Sequence, residues 1–211
     1  MIKQRRSRAE RSAQTRAEVM ASGRRLFLRR GFHAASLELV AEEAGFTIGA
    51  VYSRFGSKAD LFLAILDEHI DRIVAEVAQV AEVDQPLGAH AELLAGRRMD
   101  LLEREREWFP LVLEFWSHAA RDERLRREFA ARHERLVGAY AGLIEADYAR
   151  LGLPLPMDPE VLARAVVAMG NGVALERLAD PGRVPEGLLS TMAIAFLRGA
   201  AADEPAAERR S

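Results

Sequence analysis

The chain has 211 residues, 49% hydrophobic and 29% charged, which suits a globular fold long enough to bury a core. It holds no cysteine, which excludes disulfides and thiolate metal sites, and no uncharged apolar run of about 18 residues or more, so a membrane span is not expected; the basic polar N-terminus is followed by no apolar core of the kind a signal segment has. The net charge of −2 is unevenly spread: residues 1–60 carry 12 Lys and Arg against 6 Asp and Glu, leaving 18 against 26 for the rest, so one end of the chain suits phosphates.

In chain order, Lys3, Arg5, Arg6, Arg8 and Arg11 stand in a stretch with almost nothing apolar to anchor it. Residues 1–11 read as a flexible basic arm, either a phosphate or minor-groove contact or simply a solvated end. Thr15 and Glu18 have capping-box spacing and open a first helix with Val19, Leu26 and Phe27 inward. Gly31 ends it, and Phe32 just beyond is a core plug.

The stretch SLELVAEEAGFTIGAVYSRFGSK, residues 36–58, reads as two short helices around a tight turn. Ser36 caps the first, whose Leu37, Val40, Ala41 and Ala44 fall on one face. Gly45 permits the left-handed exit, and Thr47 caps the second. With Val51 inward, Phe55 and Thr47 point the same way and Ile48 and Arg54 flank them. Gly49, Ala50, Tyr52 and Ser53 then face outward, a small polar surface suited to a major groove. Ser57 and Asp60 cap a further helix beginning at Lys58, whose first turn offers N–H groups and an ammonium to phosphate.

On GFTIGAVYSRFGSKADLF, residues 45–62, with Tyr52, Phe55, Lys58 and Leu61 in their pattern, the chain resembles the tetracycline-repressor (TetR) family of bacterial transcriptional regulators. The resemblance implies an all-α chain: a three-helix helix-turn-helix DNA-binding domain over 12–71, with the motif at about 36–55, and a helical ligand-binding and dimerisation domain over 72–200. Carried over by position, Ser36, Thr47, Ile48, Gly49, Ala50, Tyr52, Ser53, Arg54 and Lys58 are the candidate DNA contacts. Ile48, Ser53 and Arg54 depart from the common pattern. Ile48 offers only apolar contact to a thymine methyl, and Arg54 a phosphate or guanine contact, so the operator sequence does not follow.

Beyond Lys58, apolar residues keep a helical period from Leu61 to Val80, with no breaker before Pro86. The boundary between domains is expected inside this helix, near Asp71. Residues 88–107 make another helix. A short one follows at WFPLVLEFWSHAA, with Pro110 in its first turn and Trp108 and Phe109 at the junction. Trp108 and Trp116 either fill a core or line an apolar cavity. Trp108, Phe109, Leu113, Trp116 and His118, with Met169 and Asn171 further on, are the candidate lining of the effector pocket that the resemblance implies.

Asp122 caps the next long helix, which Gly152, Pro154 and Pro156 close. Asp158 and Pro159 start a helix rich in Ala and Gly, and the last restarts at Pro185. Helices 159–178 and 185–199 carry more apolar surface than one layer needs, and two such hairpins across a two-fold axis would bury it. Residues 201–211 read as a frayed charged tail. His33, His69, His90, His118 and His133 form no recognised catalytic or metal-ligand spacing, and there is no glycine-rich phosphate loop or serine elbow, so neither an enzyme nor a cofactor or metal is expected. The reading is a cytoplasmic bacterial homodimer, nucleoid-associated when bound to a double-stranded DNA operator, and a repressor released by a small-molecule effector. The alternative is a helical small-molecule-binding or scaffold protein without specific DNA readout.

Overall fold

The computed structural model describes residues 7–104 and 106–202. The basic arm's Lys3, Arg5 and Arg6, and the tail from residue 203 on, lie outside the described residues. Among those described there are nine helices and no strand: α1 (Arg8–Ala34), α2 (Leu37–Ala44), α3 (Ile48–Tyr52), α4 (Lys58–Ala81), α5 (Leu87–Arg104), α6 (Trp108–Ala119), α7 (Glu123–Leu151), α8 (Pro159–Ala179) and α9 (Leu188–Ala202). No helix among them is long and apolar enough to cross a membrane.

Most helix ends follow from side chains near them in sequence. Asp122 Oδ1 accepts from Leu125 N at 2.9 Å at the head of α7, and Asp158 Oδ1 accepts from Glu160 N at 2.8 Å with Pro159 in the first turn of α8. Three boundaries differ from expectation. α1 begins at Arg8, not at Thr15, because Ser7 and Glu10 form a complete capping box upstream: Ser7 Oγ accepts from Glu10 N at 3.1 Å while Glu10 Oε2 accepts from Ser7 N at 2.7 Å. Glu18 instead accepts from the Gln14 side chain, so the Thr15 spacing lies inside the helix. α6 begins at Trp108, two residues before Pro110. α9 begins at Leu188 because Gly187, at φ 73°, stands outside helical geometry.

The chain divides into two compact units. The first runs up to His69 and also takes Glu107–Ala130, so α6 and the first turns of α7 belong with the helix-turn-helix and not with the C-terminal part where the sequence reading put them. The reason is aromatic. Phe62 stacks on Phe115 with centroids 4.3 Å apart and meets Phe27 edge-on at 5.5 Å, while Phe32 meets Phe115 at 5.1 Å. Trp108 lies parallel to Phe62 at 5.9 Å and is 4% exposed.

The second unit holds Ile70–Arg106 and the chain from Ala131 on. α5, α8 and α9 pack together through Ala95, Val173 and Leu189, and α7 meets α8 and α9 through Val137, Ile144, Tyr148, Leu162, Val167 and Leu197. Tyr148 is fully buried and its hydroxyl donates to Leu197 O at 2.7 Å, so the one polar atom it brings into this core is satisfied.

Candidate nucleic-acid interface and ligand cavity

In the first unit, α2 buries Leu37, Val40 and Ala41, and Gly45 at φ 71° turns the chain, with Phe46 N donating to Ala41 O at 3.0 Å. Ser36 Oγ accepts from Leu39 N, and Thr47 Oγ1 from Ala50 N, each at 3.3 Å. Val51 is fully buried and Phe55 nearly so, which fixes the inward side of α3. Thr47, Ile48, Gly49, Tyr52 and Ser53 are exposed and Ala50 half-buried. The pair is braced to α1 by Arg25 and Arg29, which both bind the Glu43 carboxylate of α2, and the Arg29 bond holds that carboxyl below the ordinary glutamate range.

Several polar side chains on this surface already have partners. The Tyr52 hydroxyl donates to Glu38 Oε1 at 3.3 Å, across from α3 to α2. Glu38's own backbone N–H and Ser36, then Tyr52, hold the Glu38 carboxyl below its ordinary range. Arg54 folds back so that its Nη1 donates to Ala50 O at 2.8 Å. Lys58 Nζ donates to His33 O at 3.0 Å and stands 4.6 Å from the centre of the Phe32 ring, and partial burial lowers its pKa. Glu114 of α6 accepts from Phe32 N at 2.8 Å, which satisfies a backbone donor freed where Gly31, at φ 76°, breaks the helical path of α1.

The second unit encloses a cavity of about 70 Å³. Its wall is mostly aliphatic, with Leu94, Leu143, Ile144, Val167, Leu189 and Leu197 among the lining residues, and its polar members are His90, Arg98, Tyr140, Asp147 and Asn171. On α5, His90, Ala91, Leu94, Ala95 and Arg98 form one helical stripe. Rising about 1.5 Å per residue, α5 puts His90 and Arg98 roughly 12 Å apart along its axis. At one end the buried His90 Nδ1 lies 2.9 Å from both oxygens of the buried Asp147, and its Nε2 lies 2.9 Å from Val83 O. Arg150 Nη2 also lies 3.4 Å from Nδ1. Arg150 also binds Asp147 and reaches Asp84 at 3.3 Å. At the other end Arg98 Nη2 donates to Asn171 Oδ1 at 3.3 Å. Burial raises the Tyr140 pKa, keeping its hydroxyl protonated, and lowers that of Arg98. Among the described residues, no group of three or more His, Cys, Asp or Glu side chains is placed to hold a metal ion.

Residues 19–65 match the family model described as bacterial regulatory proteins of the tetR family, and residues 90–202, more than half of the chain, match the BetI-type transcriptional repressor C-terminal model. The chain belongs to the TetR family of bacterial transcriptional regulators. TetR-family regulators bind DNA operators and small-molecule effectors and act as dimers. This member is 27% identical over 99 residues to the HTH-type transcriptional activator FasR of Mycolicibacterium smegmatis, covering 47% of this chain and 45% of that one. It is 39% identical over 88 residues to the HTH-type transcriptional regulator TtgR of Pseudomonas putida, covering 40% and 41%. The matched stretches thus span less than half the length of these two curated relatives. In fold it is similar to GusR of Salmonella enterica, with a TM-score of 0.73 at 18% identity over 90% of this chain and 96% of that one.

In this TetR-family chain the expected DNA-contact residues all fall on or beside α2, α3 and the head of α4. Thr47 is exposed and not inward, because a capping side chain turns back over the first turn of its own helix. The expected pocket lining is scattered. Of the seven residues named, Asn171 alone is among those lining the 70 Å³ cavity. Trp108 belongs to the aromatic core of the first unit, and Phe109 and Leu113 lie on the same helix. Trp116 is 47% exposed and stacks on Phe129, His118 leans on Phe32, and Met169 packs against the cluster of Ala95, Val173 and Leu189. Sequence reasoning passed over His90, Arg98, Tyr140 and Asp147. The α5 stripe was the available signal, but the partner Asp147 lies 57 residues from His90, beyond any local pattern.

Proposed function

We propose that this chain is a homodimeric repressor that reads a palindromic operator through α3 and releases it when a small molecule enters the cavity of the second unit. The observation that carries the DNA half is the exposure of Thr47, Ile48, Gly49, Tyr52 and Ser53 on a helix whose other side is pinned by buried Val51 and Phe55. That surface is small enough to enter a major groove and varied enough to read it: hydroxyls for base edges or phosphates, and Ile48 for a thymine methyl. Repression is favoured by the BetI-type repressor match over 90–202.

A cavity of about 70 Å³ is small beside the several hundred Å³ of sites that enclose drug-sized ligands. A ligand therefore binds best to a conformation in which the walls have moved apart. Release of DNA follows only if that conformation spaces the two recognition helices differently, so the coupling free energy is the difference in ligand affinity between the two states. α4 and α7 each run from one unit into the other, so a displacement of either has a covalent route between cavity and DNA surface.

The test is selection of duplexes from a random DNA pool with purified protein, followed by the salt dependence of binding to the winners. A palindromic consensus with two half-sites about one helical turn apart, or a multiple of it, is the expected result. Weak binding with no enriched sequence would favour the scaffold reading instead.

A further inference from the structure

The helix-turn-helix carries a carboxylate where a phosphate backbone would approach. Glu38 is exposed in the first turn of α2 and accepts from the Tyr52 hydroxyl of α3 at 3.3 Å, so it stands within hydrogen-bond reach of the recognition helix. Among the described residues its partners are that hydroxyl, Ser36 and its own backbone N–H, none of them a cation. Glu43, further along the same helix, is by contrast neutralised by Arg25 and Arg29. Glu38 thus presents an unbalanced negative charge in the part of the chain where Lys and Arg outnumber Asp and Glu. We infer that Glu38 is a specificity-determining residue: it repels the backbone of every duplex and competes with phosphate for the Tyr52 hydrogen, and an operator recovers that loss by placing a base-edge amino group against it. The inference rests on the reading of α3 as the helix that enters the major groove.

Counting donors supports this role. A tyrosine hydroxyl has one hydrogen, so Tyr52 cannot donate to Glu38 and to a phosphate oxygen together. When Tyr52 turns to the backbone, a carboxylate oxygen loses its partner beside the groove. An ionised carboxylate only accepts, so among major-groove base edges it bonds the amino groups of cytosine N4 and adenine N6 and is repelled by guanine O6 and thymine O4. Non-specific binding draws almost wholly on attraction to phosphate, so there the same charge is a cost with no return.

Glu38→Gln and Glu38→Asp separate charge from shape. Glutamine can still accept from Tyr52 but carries no charge, whereas aspartate keeps the charge on a shorter arm. With the full chain, the operator is first selected from a random duplex pool, and fluorescence anisotropy then gives affinity for it and for a scrambled duplex. Glu38→Gln is expected to bind the scrambled duplex about threefold more tightly at about 50 mM salt, with the gain shrinking by about 200 mM. Its ratio of operator to scrambled affinity should fall about tenfold. Selection repeated with Glu38→Gln should lose its preference at a symmetry-related pair of cytosine or adenine positions, while Glu38→Asp should bind scrambled DNA as the parent does. Equal losses on both duplexes in Glu38→Gln would overturn the inference and leave Glu38 as mere support for Tyr52. A parent that selects no operator overturns the regulator reading and this inference with it, whereas an operator recovered with an unchanged ratio in Glu38→Gln overturns this inference alone.

Discussion

Lys58 has three N–H donors, and the His33 carbonyl takes one of them at 3.0 Å while the Phe32 ring lies under the ammonium. The remaining donors stay available to a phosphate at the head of α4. Lys58→Ala should therefore act twice: a loss of about 1 kcal/mol in stability from the missing hydrogen bond and ring contact, and a fall of about 1 in the slope of log K against log salt. Urea denaturation measures the first and binding at several salt concentrations the second; lost stability with an unchanged slope would confine Lys58 to holding the chain after α1. Tyr52 poses the opposite case, since 49% of it is exposed and its hydroxyl bond to Glu38 is long. Tyr52→Phe is expected to change stability by less than about 0.5 kcal/mol and to weaken every operator variant alike, as a backbone contact does. Losses confined to certain base substitutions would instead make the hydroxyl a reader of sequence.

The turns of the first unit place two glycines with positive φ in different surroundings. A Cβ at Gly45 meets nothing within 4 Å, whereas one at Gly31 would come within 2.8 Å of the Glu114 carboxylate that receives Phe32 N. Gly45→Ala should thus cost about 1 kcal/mol, the conformational penalty alone, and Gly31→Ala measurably more, because the carboxylate must also leave its hydrogen bond. Thermal denaturation of the two variants side by side tests the order; equal losses would mean that Glu114 yields freely. The difference also marks what the sequence could reveal. Both glycines, the caps Ser36, Thr47 and Asp158, and the inward Val51 are local chemistry and were legible as such. Glu114 caps a backbone 82 residues away in sequence, and Trp108 joins the first unit through Phe62, so no periodicity near either residue signals its role. The cavity of the second unit is hard to see in the sequence for the same reason: its wall is mostly aliphatic and comes from five helices, α4, α5, α7, α8 and α9, whereas the conspicuous tryptophans lie elsewhere.

At the scale of the whole molecule, the α8 surface is unfinished in a patterned way. Val161, Ala168 and Leu175 recur at seven-residue spacing with Ala165 and Gly172 between them, and Val161 and Leu175 are 54% and 53% exposed. Small residues between larger apolar ones let a second helix approach closely, and Leu178 and, on α9, Met192 are exposed as well. A second copy of the same face, related by a two-fold axis, would present matching knobs and gaps, as expected of an isologous four-helix interface. Val161→Glu combined with Leu175→Glu would set carboxylates against their own copies and leave the buried side of α8 untouched. The variant should sediment as one chain where the parent sediments as two, and its operator affinity should fall by roughly a thousandfold toward the non-specific level, because a lone half-site lacks the fixed spacing that a dimer supplies. Its circular dichroism should match the parent's, since neither position is buried in the chain. A doubly substituted protein that still sediments as two chains would move the dimer interface off this face of α8, and with it the geometric link between half-site spacing and the separation of the α3 helices.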